Sequence, residues 1–141
     1  MYRYIHRVQF YETDLMGIVH HSNYLRFYEE ARVAWAHDRG LIDYQKPESA
    51  FQLAVIETRV RHLLPAKFGD LCEVDVQARI EGAKVVFEYK MFCMARTKEP
   101  ISYAKTVHAA LDLNLKVIKP PLGLRKILEK ETWTETWLSN W

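Results

Sequence analysis

The sequence predicts an α+β architecture: a five-stranded, mostly antiparallel curled sheet wrapped around one long helix, with a C-terminal helix closing the chain. Three observations predict it. Hydrophobicity alternates with a period of two in five segments, a single long stretch from Asn23 to Gly40 has helical period, and short turn-like connections join the last three strand segments.

The first strand comes from residues 2–10, where Tyr2, Tyr4, His6, Val8 and Phe10 share one face and Arg3, Ile5, Arg7 and Gln9 the other. From Asn23 the period changes: Tyr24, Phe27, Tyr28, Ala31, Ala34 and Trp35 form an apolar helical stripe, and Arg26, Glu29, Glu30, Arg32 and Asp38 form a solvated flank with i,i+3 or i,i+4 pairs. Ser22 is the expected N-cap and Gly40 the expected terminator. A polar stretch with Pro47 leads to strands expected at about 53–64, 72–80, 85–96 and 101–114. Glu81-Gly82-Ala83-Lys84 and Thr97-Lys98-Glu99-Pro100 read as turns, so the last three strands form an antiparallel meander. At ~3.3 Å per residue the longer strands reach about 35 Å or more, and strands of that length twist and curl. Pro120-Pro121 ends the sheet because proline brings no ladder donor, and 122–138 reads as the closing helix. On it, Trp133, Trp137 and Trp141 recur every fourth residue as an aromatic ridge, expected to pack on its own subunit or on another copy.

At 141 residues the chain is expected to be one domain, 1–141, with 122–141 its helical extension. A composition 49% hydrophobic and 27% charged excludes wholesale disorder. Twenty Lys and Arg against eighteen Asp and Glu leave +2, too little for an electrostatic grip on nucleic acid. The longest run free of Asp, Glu, Lys and Arg, 15–25, falls well short of the ~20 residues of a membrane span. No apolar h-region follows the first residues, so a cytoplasmic location is expected. Cys72 and Cys93, without Cys-x-x-Cys spacing, read as reduced packing residues.

The chemistry-bearing stretch is 11–24, joining strand one to the long helix. A loop doubling back there brings Asp14 toward the first helical turn, whose unpaired N–H groups and dipole favour negative charge. Acid and amides then face one small volume, an arrangement suited to attack on a carbonyl: the carboxylate is base or nucleophile, and an amide near His21 holds the developing oxyanion. Gly17 permits the turn by accepting positive φ. Judged on spacing alone, an Asp in a strand-to-helix loop more commonly just bonds its own backbone in an Asx-turn. Asp14, His20 and His21 lack a second ligand pair at helical spacing, so neither a metal site nor a cofactor is expected.

Asp14 with Gly17, Ile18-Val19, His21 and Tyr24, followed by Phe27-Tyr28-Glu29-Glu30-Ala31-Arg32, resembles the active-site signature of hot-dog-fold acyl-CoA thioesterases of the 4-hydroxybenzoyl-CoA thioesterase type, including short-chain enzymes associated with the Tol–Pal system. Pro65-Ala66-Lys67-Phe68-Gly69-Asp70 resembles that family's loop between its second and third strands, and motifs plus element order span about 3–118. The resemblance implies a sheet wrapped round its helix, subunits paired edge to edge as a homodimer or homotetramer, and sites at the subunit boundary. It implies Asp14 as catalytic carboxylate, the His21 backbone N–H as donor to the thioester carbonyl, and Gly17, His20, Tyr24 and Lys67 as substrate-binding residues. The implied substrate is an acyl-CoA or an acyl carrier protein thioester, whose phosphates would meet some of Arg59, Arg61, Lys67, Lys90 and Arg96. Relatives often carry an aromatic residue at the place of His20, so the acyl pocket does not transfer. Two other functions stay open at this point: a hot-dog dehydratase or hydratase of 3-hydroxyacyl thioesters, and a module that binds acyl thioesters without cleaving them.

Overall fold

In the computed structural model, which describes residues 1–49, 51–96, 98–135 and 137–138, strand β1 spans Tyr2–Arg7. It stops short of Phe10 because the chain leaves its ladder there. Val8 N–H turns to the Asp70 carbonyl (2.9 Å), and the Glu12 carboxylate takes the Gln9 N–H (2.7 Å), folding Phe10–Glu12 into a 3-10 turn that leaves Phe10 exposed.

Helix α1, His21–Asp38, begins earlier than its apolar stripe. Its N-cap is His20 rather than Ser22: His20 Nδ1 accepts the Ser22 N–H (3.2 Å) and bonds the Ser22 hydroxyl (2.8 Å), an imidazole nitrogen serving where a hydroxyl or carboxylate usually does. Its C-terminus closes as expected at Gly40, whose φ is +76°. Gly40 N–H donates to the His37 carbonyl (3.0 Å) and Leu41 N–H to the Ala36 carbonyl (2.8 Å), the paired bonds of a Schellman motif. Tyr24, Phe27, Tyr28, Ala31 and Trp35 are buried as the helical period requires.

The sheet is antiparallel throughout, in the order β1-β3-β4-β5-β2, with β2 at Leu53–His62, β3 at Leu71–Glu81, β4 at Lys84–Cys93 and β5 at Ser102–Leu111. The meander is as expected, but a short sixth strand, β6 (Val117–Ile118), lies on β5. Asp112 makes it by turning the chain: its carboxylate accepts the Asn114 (2.8 Å) and Lys116 (3.0 Å) N–H groups, and Val117 comes to lie opposite Leu111. Inward residues of β3 and β4, among them Val74, Val76, Phe87, Tyr89 and Met91, close on α1, and Trp35 meets Phe87 edge to face at 5.1 Å. Cys72 and Cys93 are buried free thiols opposite one another on β3 and β4, and burial pushes the Cys72 thiol up to about 12.

The closing helix is shorter than its periodicity suggests. Helix α2 runs only Leu122–Glu129, seating Leu124 and Leu128 in the core. The chain then leaves helical geometry and crosses the outer face of the sheet. Thr134 exchanges bonds with the Gln77 amide (3.0 and 3.1 Å), the Trp133 ring covers the Arg79 guanidinium (4.2 Å), and the Trp137 ring faces the Lys90 ammonium (5.2 Å). The tryptophan spacing thus serves a strap, not a helical ridge, and the β-branched Thr132 and Thr134 give the helix little reason to continue. Trp141 lies outside the described residues. No helix among the described residues is long and apolar enough to cross a membrane.

Candidate active site

Between β1 and α1 the chain makes a tight hairpin. Thr13 bridges Val19, Asp14 N–H donates to the Ile18 carbonyl (2.9 Å), and Gly17 N–H returns to the Asp14 carbonyl (3.0 Å) with Gly17 at φ +76°. The Asp14 Oδ1 accepts the Met16 N–H (2.8 Å), so the Asx-turn is present. It does not use up the carboxylate, which has about four acceptor sites, and it fixes the group's direction.

Glu12, 5% exposed, pins this hairpin to the helix. Its carboxylate bonds His6 Nε2 (2.8 Å), and its backbone carbonyl accepts the His20 N–H (2.9 Å) and the Asn23 side-chain amide (2.8 Å). On the other side Val19 N–H donates to the Ala66 carbonyl (2.8 Å) and Ile18 bridges Lys67, tying the hairpin to the loop 65–70. Arg96 clamps that loop through the Pro65 carbonyl and the Asp70 carboxylate, each at 2.6 Å, and is therefore committed to structure.

These ties leave an open cleft of about 380 Å³ at the N-terminus of α1, lined by Asp14, Met16, Ile18, Val19, His21 and Tyr24 on one side and by His62, Leu63, Leu64 and Pro65 on the other. His21 is the first residue of α1; the Ser22 N–H goes to the His20 ring and the Asn23 N–H to the His20 carbonyl (2.9 Å), which leaves the His21 N–H, with the positive end of the dipole, at the same cleft as Asp14. The Tyr24 hydroxyl accepts the Ala66 N–H (3.2 Å), which leaves its ring as wall; burial raises its pKa. His62 stands edge-on to Tyr24 at 4.8 Å, and partial desolvation, then the nearby His21, lowers its pKa.

Of the residues expected at the site, Asp14, His21 and Tyr24 share the cleft wall. Gly17 forms the turn behind it. His20 caps the helix with its ring against that of His21 at 4.2 Å, and Lys67 is an exposed loop residue whose backbone N–H donates to Asp70 (2.8 Å). Lys90 faces Trp137 on the outer side of the sheet. On the opposite wall Pro65 belongs to the loop matched in the sequence, but 62–64 go unpredicted. Their signal is that alternation fails there: Leu63 and Leu64 are consecutive leucines at a strand end, 46% and 47% exposed.

A curled antiparallel sheet around one long helix, with an acid-bearing hairpin at that helix's N-terminus, defines a protein of the hot-dog class. A family model described as the thioesterase-like superfamily matches residues 8–130, and the chain belongs to that family. A protein of Aquifex aeolicus is 32% identical over 129 residues, 89% of this chain and 96% of its own. The acyl-CoA thioesterase YbgC of Haemophilus influenzae is 28% identical over 109 residues, 76% of this chain and 78% of its own. The crystal structure of a 1,4-dihydroxy-2-naphthoyl-CoA thioesterase from Synechocystis shares the fold, with TM-score 0.80 and 21% identity over 92% of this chain and 96% of its own.

Proposed function

We propose that the protein is an acyl-CoA thioester hydrolase, converting an acyl-CoA and water to a free carboxylic acid and coenzyme A. The observation that carries this reading is the meeting of the Asp14 carboxylate and the first turn of α1 on one cleft. Asp14, its Oδ1 oriented by Met16, takes the proton of an attacking water or itself attacks the thioester carbon. The His21 N–H receives the charge that develops on the carbonyl oxygen, assisted by the helix dipole. The coenzyme A thiolate then leaves and is protonated; where Asp14 has itself attacked, water hydrolyses the resulting mixed anhydride, which frees the acid and restores the carboxylate.

The cleft is open along 62–65, next to the free edge of β2, and pairing of that edge with a second copy closes it into a subunit-boundary site. This reading takes 1–141 as one catalytic domain. A panel of acyl-CoA substrates followed by free-thiol release, with Asp14→Asn as control, tests it. Thiol release that the variant loses supports it; enoyl absorbance changing without thiol release would replace it with a dehydratase. Ligand-dependent thermal stabilisation without turnover would replace it with a binding module.

A further inference from the structure

A second cavity, of about 200 Å³, lies between the C-terminal half of α1, the segment that leads into β2, and α2. Its wall is apolar, with Trp35, Phe51, Phe87 and Leu124, apart from Arg32 and Glu29. These two charges do not cancel. They stand 3.9 Å apart, but the Glu29 side chain is 69% exposed and that of Arg32 only 17%, so water screens the carboxylate far more than the guanidinium. Arg32 is thus not on the solvated flank that helical periodicity assigns it, and the field it leaves in the cavity is positive.

The guanidinium has donors to spare, since one nitrogen bonds the Tyr89 hydroxyl (3.0 Å) and an arginine carries five N–H groups. Behind it a buried chain continues from Tyr89 to Thr106 (2.8 Å) and from Thr106 to His108 Nε2 (2.9 Å). His108 is 1% exposed, its Nδ1 has no partner among the described residues, and its ring stands edge-on to the cavity-wall ring of Phe87 at 5.2 Å. Native cores seldom keep an orphaned polar atom at the end of such a chain without a task for it.

We propose that this cavity binds a compact monocarboxylic acid, its carboxylate on Arg32 and its body against Trp35, Phe51 and Phe87. Size sets the class: a cavity of ~150 Å³ accommodates benzene. About 200 Å³ therefore suits one substituted ring or a chain of roughly six carbons. The site stands apart from the Asp14 cleft and needs no particular reaction there, although thioester hydrolysis releases acids of this class.

Calorimetric titration of the full chain with benzoate, and with benzyl alcohol as its uncharged counterpart, tests the proposal. Benzoate is expected to bind the wild type and Asp14→Asn alike. Arg32→Met should weaken benzoate roughly tenfold or more while leaving benzyl alcohol within about twofold. Ala36→Phe, which fills the cavity, should abolish both; Val33→Phe provides a second filling variant, with circular dichroism confirming which of them folds. Absence of benzoate binding to the wild type, equal loss of both ligands in Arg32→Met, or unchanged affinity in a folded filling variant would each overturn it. So would a benzoate site that survives filling but is lost in Leu64→Trp, since that places the acid in the Asp14 cleft.

Discussion

At its N-terminal end α1 meets an open cleft that carries Asp14, His21 and His62, whereas its C-terminal half borders a largely apolar cavity with Arg32 as its half-buried charge. The helix dipole accounts for the contrast. Where a first-turn amide such as that of His21 and the partial positive charge of the helix end meet the cleft, a developing anion is stabilised without any cationic side chain. Toward the C-terminus the dipole has the opposite sign, so a guanidinium must supply the donors an anion would need. One helix thus presents two anion-compatible environments, one from its backbone and one from a side chain.

The largest expected effect breaks the first of these. Asp14→Asn keeps the side chain's shape and much of its Asx-turn but removes the carboxylate proposed as base or nucleophile, and kcat should fall by about 10²–10⁴-fold with the fold intact, measured by thiol release. At the other end Trp35→Ala removes a ring 1% exposed that forms both the core and the cavity wall. Denaturant unfolding should show a loss of about 3–5 kcal/mol, with little change in chemistry at Asp14.

A pH titration sharpens the comparison, because burial, with Arg32 adding to it, holds His108 down to about 4. The unfolded chain takes up that proton at about 6.5, so between the two values it binds more protons than the folded protein. Stability is therefore full above that window and falls as the pH drops through it, by roughly 2 kcal/mol between pH 7 and pH 5. His108→Gln should flatten this part of a urea-derived stability profile. The smallest effect is at the helix entrance: His20→Ala removes the N-cap and should cost about 1 kcal/mol, read as a lowered midpoint of thermal unfolding.

The two ends of α1 also differ in how far the sequence reveals them. Asp14, Gly17 and His21 lie within one short connection, so local spacing and turn chemistry describe their geometry, and the resemblance adds their roles. His62 joins them only because β2 pairs with β5, placing it opposite Ser102, and because Tyr24 bonds the backbone of Ala66; no periodicity carries such long-range pairing. Arg32 reads as a flank residue because a helical wheel assumes water on that side, while here Tyr89 and Phe87 of β4 reach it. Trp133 and Trp137 have helical spacing by coincidence with a strap whose partners, Arg79 and Lys90, sit on the far side of the sheet. Ser22 is a good cap by composition, yet the acceptor is the His20 imidazole.

Among the described residues strand β2 ends the sheet and pairs on one side only, with β5. Outside the irregularity between Val55 and Glu57, every second amide along it therefore points away from the ladder. In an isolated chain those amides trade their hydrogens with heavy water quickly while their neighbours stay protected, and edge-to-edge assembly erases the alternation. Hydrogen–deuterium exchange along 53–62 at rising protein concentration thus turns this one strand into a residue-by-residue gauge of self-association.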